Sequence, residues 1–95
     1  MYIRVKNLNG TSDNYPPLGY TSWKEYWITV KGYWPAYCAV YGCTDAPTLA
    51  AHVKKVDGLD DDWYIVPMCY KHNNQRGEVL YVDDKYLVKV NIRKR

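Results

Sequence analysis

Three cysteines and one of the two histidines fall into a single short pattern. Cys38 and Cys43 are separated by four residues, and Cys69 and His72 by two. Residues three apart on a helix share a face, so Cys69 and His72 can point at one ion from a single turn. A Cys3His set is what tetrahedral structural zinc uses. Soft thiolates disfavour magnesium and calcium. With four protein ligands the site is closed and does not itself activate water. Three cysteines also argue against a disulfide framework, which would leave one thiol over. The alternative is three small buried cysteines and an unrelated histidine.

The need for a staple follows from length. A 95-residue chain is one domain, and a chain this short buries only about 60–65% of its unfolded surface. Zinc in small fingers is worth on the order of 10 kcal/mol, which becomes folding energy. The composition, 47% hydrophobic and 24% charged, fits a folded domain. No apolar run approaches the ~20 residues of a membrane span, and the polar start is not expected to act as a signal peptide. Cytoplasmic placement is expected, where thiols stay reduced. The phosphate-cradling glycine motifs and the Gly-x-Ser-x-Gly elbow are absent.

Local patterns predict the elements around this constellation. Tyr2 to Lys6 alternates as a strand, and Asn7 to Tyr20 carries turn chemistry. Ser22 and Glu25 make a capping box for a short helix with Trp23, Tyr26 and Trp27 on one side. Gly32 and Pro35 end it. Cys38 to Cys43 is a compact turn containing Gly42. Ala50 to Lys54 and Trp63 to Pro67 read as a hairpin around the turn at Asp57-Gly58. Met68 to Arg76 reads as a helix capped by Gly77. Val79 to Val82 and Tyr86 to Val90 read as two further strands around Asp83-Asp84-Lys85, a C-terminal β-hairpin.

The order of turn with two ligands, hairpin, and helix with two ligands resembles the treble-clef zinc finger. Residues 38–77 look more specifically like the HNH (ββα-metal) nuclease finger. The likeness rests on Cys38-Ala39-Val40-Tyr41-Gly42-Cys43, on Ala51-His52-Val53, and on Tyr64 through Asn73. It divides one domain, 1–95, into an N-terminal extension (1–37), the finger (38–77), and a C-terminal hairpin with a basic tail (78–95). The fold class expected is α+β.

The resemblance implies roles for two more residues. His52 matches the general base that takes a proton from water. Asn73 matches a ligand of the catalytic divalent ion, Mg²⁺ or Mn²⁺. This is coherent chemistry, since a hard cation stabilises charge building on a phosphate. At two positions where the family carries polar residues this chain has Ala51 and Tyr64, so it implies a protein that cuts nucleic acid or one that only binds it, with DNA favoured over RNA.

Charge and aromatic content bear on partners. The net charge is only +3, but Lys85, Lys89, Arg93, Lys94 and Arg95 follow Asp84 with no acidic residue among them. That segment is either a solvated tail or one that contacts phosphates. Eleven tyrosines and four tryptophans bring large area with a polar handle. They open a second expectation, a non-enzymatic protein-interaction module; from the small size and zinc-stapled style of the chain, the expected kind is one that a phage or mobile element uses on a host complex. Trp23, Trp27 and Trp34 are its candidate contact residues.

Overall fold

The computed structural model describes residues 1–8, 16–56, 60, 62–75 and 77–90. Five strands form one antiparallel sheet: β1 (Tyr2–Asn7), β2 (Leu49–Lys55), β3 (Trp63–Met68), β4 (Val79–Asp83) and β5 (Val88–Val90). Helix α1 (Trp23–Lys31) precedes β2, α2 (Tyr70–Asn73) follows β3, and a 3-10 turn (Asp84–Tyr86) joins β4 to β5. The α+β class expected from the sequence is therefore present. The strand order is β4-β1-β2-β3-β5. The expected hairpin is β2–β3, with Ala51 opposite Val66 and His52 opposite Ile65.

The last two strands correct the sequence reading. They exist, but they do not pair with each other. β4 pairs with β1 and β5 pairs with β3, at the two ends of the strand order. The 3-10 turn does not reverse the chain, so β4 and β5 run in the same direction. This connection shapes the whole sheet. Asp83 and Val88 are five Cα steps apart, which reaches at most about 18 Å. Four strand spacings of about 4.8 Å already exceed that in a flat sheet. The sheet must therefore curl until its two edges approach.

Two clusters form on the two faces of the curl. Val5, Val53, Val66, Met68, Leu80 and Val82 fill the concave side, with Cys38, Ala39, Ala51 and Cys69. Leu87, just before β5, packs against the same cluster as β4, as the curling requires. On the outer side Trp27 of α1 packs with Ala50, Ile65, Val88 and Val90. The middle of β2 and the end of β3 are buried on both faces.

Helix α1 forms as its signals require. The Ser22 hydroxyl accepts from the Glu25 N–H at 3.0 Å. The Glu25 carboxylate reaches back one residue beyond the cap, to the Thr21 N–H (3.3 Å) and hydroxyl (3.0 Å). Gly32 stops the helix at φ +84°, and its N–H bonds the Ile28 carbonyl. Trp27 is fully buried, and its indole N–H donates to the Tyr86 carbonyl at 2.9 Å.

Helix α2 is shorter than the pattern predicts: four residues, ending at Asn74 rather than continuing to a Gly77 cap. The reason is tertiary. The Asn7 side-chain amide donates to the His72 carbonyl at 2.9 Å, with the carbonyls of Asn73 and Gln75 at 3.4 Å. These oxygens are gathered by a strand residue instead of by further helical turns. The Asp57-Gly58 turn, Arg76 and the tail residues Arg93, Lys94 and Arg95 lie outside the described residues.

Candidate metal centre

The turn at Cys38–Cys43 is pinned to the sheet at several points. Ala39 N–H donates to the Pro67 carbonyl (2.9 Å), and Tyr41 N–H to the Tyr81 carbonyl (2.8 Å). Val40 forms an isolated bridge to Val82. The turn closes with Cys43 N–H on the Val40 carbonyl at 3.0 Å. Gly42 has φ +77°, a conformation that L side chains rarely adopt. Both cysteines are thereby held over the end of β3, where α2 begins.

Cys69 is the N-cap of α2, and His72 lies one turn further on. The four donor atoms of Cys38, Cys43, Cys69 and His72 lie within 4.8 Å of one another. Cys43 Sγ is 3.8 Å from Cys69 Sγ, and His72 Nδ1 is 3.2 Å from Cys69 Sγ and 3.9 Å from Cys38 Sγ. A tetrahedral ion with metal–sulfur bonds of about 2.3 Å needs sulfur–sulfur edges of about 3.8 Å and sulfur–nitrogen edges of about 3.6 Å. The cluster thus has the dimensions of a four-coordinate metal site. The sequence-predicted ligands come together as one group able to hold a metal ion.

Electrostatics around the cluster separate its two states. Burial pushes the Cys38 thiol up to about 12, despite backbone N–H groups of Val40 and Cys69 that favour the thiolate. The Cys69 N–H lies 3.3 Å from Cys38 Sγ. Without an ion the buried thiol keeps its proton. With an ion the same two N–H groups support the coordinated thiolate, the outer-shell pattern that tunes metal sites.

The other two predicted site residues do not join this group. His52 is on β2, and β2 alternates: Ala51 and Val53 belong to the concave cluster, Ala50 to the outer one. His52 therefore faces outward. Its ring meets Trp23 of α1 edge-on at 4.8 Å and Trp63 at 6.5 Å. It is 9% exposed, and its Nε2 has no hydrogen-bond partner among the described residues. Burial lowers its pKa to about 4, so it is neutral at pH 7. Asn73 sits beyond His72 on α2, on the concave side that Asn7 reaches. Ala51, not His52, is the member of that pair facing the cysteine cluster. His52 thus faces the outer side of the sheet, whereas the Asn73 carbonyl lies on the concave side, 3.4 Å from the Asn7 amide. Tyr64, at the position expected to be polar, donates to Asp60 at 3.1 Å.

Of the tryptophans proposed as contact residues, Trp27 is buried, and Trp23 and Trp34 are half-buried. Trp27 is in the outer core, Trp34 donates its indole N–H to the Pro47 carbonyl at 3.2 Å, and Trp23 covers His52. Asn7 is the residue that sequence reasoning missed. It reads as the start of a loop, and only its long-range bonds to α2 reveal its part in positioning the ligand helix.

Comparison with known proteins found no matching family model, no matching curated protein and no matching solved structure. Fold and site together define a small α+β protein with a curled antiparallel sheet and a Cys3His cluster at one end. No helix among the described residues is long and apolar enough to cross a membrane.

Proposed function

We propose that this chain is a zinc-stapled domain of treble-clef, HNH-like type that binds nucleic acid without cutting it. Zinc is the ion favoured by a Cys3His set of tetrahedral dimensions, with Cys38 and Cys69 buried and Cys43 and His72 half-buried. The order of ligand turn, hairpin β2–β3 and ligand helix supports the treble-clef reading. Against cutting stands the placement of His52 under Trp23, away from Asn73.

The observation that carries nucleic-acid binding is the outer face of β1 and β2. Lys6 and Lys54 are directly opposed across the two strands, and Arg4 lies two residues from Lys6 on the same face. Three cationic side chains on one sheet face suit a polyanion lying across them. A groove of about 370 Å³ at the end of the β1–β2 pair is lined by Lys6, Asn7, Leu8, Lys54, Lys55 and Val56, where Lys55 is paired with Asp60 at 3.2 Å. Among the described residues, Lys85 stacks on Tyr86 and Lys89 pairs with Asp62, so the early part of the C-terminal basic segment has local partners.

The test is DNA binding by fluorescence anisotropy across a salt series, beside plasmid nicking with Mg²⁺ or Mn²⁺. Three phosphate contacts give a log–log salt slope of roughly −2 to −3. Salt-sensitive binding with intact plasmid is the expected result. Absence of binding at low salt overturns the reading, and nicking abolished by His52→Ala replaces it with a nuclease.

A further inference from the structure

We infer that the open face of β4, β1 and β2 is a platform for single-stranded nucleic acid, with tyrosines stacking on bases beside a stripe of cations. This rests on the nucleic-acid reading above and narrows it to one form of the polymer.

The platform follows from register. Arg4 opposes Tyr81, Tyr2 opposes Asp83, and Lys6 opposes Val79. Along β4, Leu80 and Val82 point into the concave core, so Val79 and Tyr81 point outward, on the side of Arg4 and Lys6. Tyr41 of the ligand turn joins them, its N–H on the Tyr81 carbonyl and its ring edge-on to Tyr2 at 4.8 Å. Tyr2, Tyr41 and Tyr81 are 52%, 67% and 53% exposed. Three half-open rings thus border Arg4, Lys6 and Lys54 on one continuous surface. On the other side of the stripe Trp63 opposes Lys54.

This combination matches one occupant. Single-stranded nucleic acid offers unstacked bases to aromatic rings and a backbone to cations, and proteins that bind it pair these two features. A duplex keeps its bases stacked and out of reach. Its major groove, about 12 Å wide, admits a helix or a two-stranded ribbon, whereas three strands embedded in a larger sheet are too broad. The carboxylate at the margin, Asp83, accepts from the Lys85 N–H at 3.1 Å, which keeps it at the edge of the stripe. Tyr41 lies between Cys38 and Cys43, so the ligand turn carries one side of the platform.

The experiment compares a labelled oligonucleotide of about 15 nucleotides, a length near the upper site size of small single-strand binders, with the same strand annealed to its complement. Anisotropy is read near 50 mM and 200 mM salt for wild type, Tyr81→Ala, Tyr81→Phe and the double variant Lys6→Glu/Lys54→Glu. Zinc content and thermal unfolding serve as folding controls. The single strand should bind tighter than the duplex. Tyr81→Ala should weaken it by about five- to a hundredfold, the range for one lost stack, and Tyr81→Phe should restore most of it. The charge-reversal variant should abolish binding. Equal or tighter duplex binding, unchanged in Tyr81→Ala, overturns the platform while nucleic-acid binding stands. No binding of either form overturns both.

Discussion

Helix α1 and helix α2 belong to opposite sides of one sheet, and almost nothing that holds the first is present in the second. Helix α1 has nine residues, a side-chain N-cap, a left-handed glycine stop and a fully buried tryptophan. Helix α2 has four residues, no side-chain cap bond at its start and no buried residue. A single turn of helix is unstable by itself. Its position rests on one strand residue, Asn7, and on the two donors that it contributes to the cluster. The comparison separates two ways for a small chain to hold an element: burying a large ring, or, on the zinc reading proposed above, tying two side chains to an ion.

Removing the ion should therefore cost most. Cys69→Ser is expected to release zinc and abolish cooperative folding, because structural zinc supplies on the order of 10 kcal/mol; elemental analysis and thermal melting read both effects. Trp27→Ala comes next, at about 3–5 kcal/mol for a buried aromatic. If the two supports are distinct, that variant still binds one zinc per chain at saturating metal. Loss of zinc from folded Trp27→Ala would merge the two halves and break the comparison.

Asn7→Ala should cost about 1–3 kcal/mol by stranding the α2 carbonyls, and unlike Trp27→Ala it should also weaken zinc affinity in a chelator competition. His52 supplies a pH test. Its pKa in the fold is about 4, below the ordinary 6.5. The unfolded chain then takes up the proton first as pH falls, so stability is full above 6.5 and declines toward 4. At pH 5.5 the loss is about 1 kcal/mol. His52→Phe should remove this increment relative to wild type, measured as the difference in melting between pH 7 and 5.5. Ser22→Ala is the smallest, about 1 kcal/mol or less, with zinc affinity unchanged.

The elements were legible where local chemistry decides them. Ser22, Glu25 and Gly32 mark both ends of α1, and the cysteine spacing picks out the cluster before any fold is known. Two things were not legible, for physical reasons. Val79 to Val82 and Val88 to Val90 have strand composition, but composition does not name a partner. Asp83-Asp84-Lys85 looks like a reversal, yet here it forms a 3-10 turn that carries the chain from one edge of a curled sheet to the other. The facing of His52 was hidden because β2 is buried on both sides, so Ala50, Ala51 and Val53 carry no alternation to show which face a histidine joins. The end of α2 was hidden for a third reason, since the residue that terminates it lies sixty-five positions away.

The central claim is that a bound ion, not packing alone, holds the Cys38–Cys43 turn and α2 in place. It is tested most directly by thermal unfolding of untagged protein before and after a strong chelator, with zinc counted in each sample. The account predicts one zinc per chain, a cooperative transition that chelation removes, and its return on adding zinc back. A metal-free protein that melts cooperatively at the same temperature would contradict it.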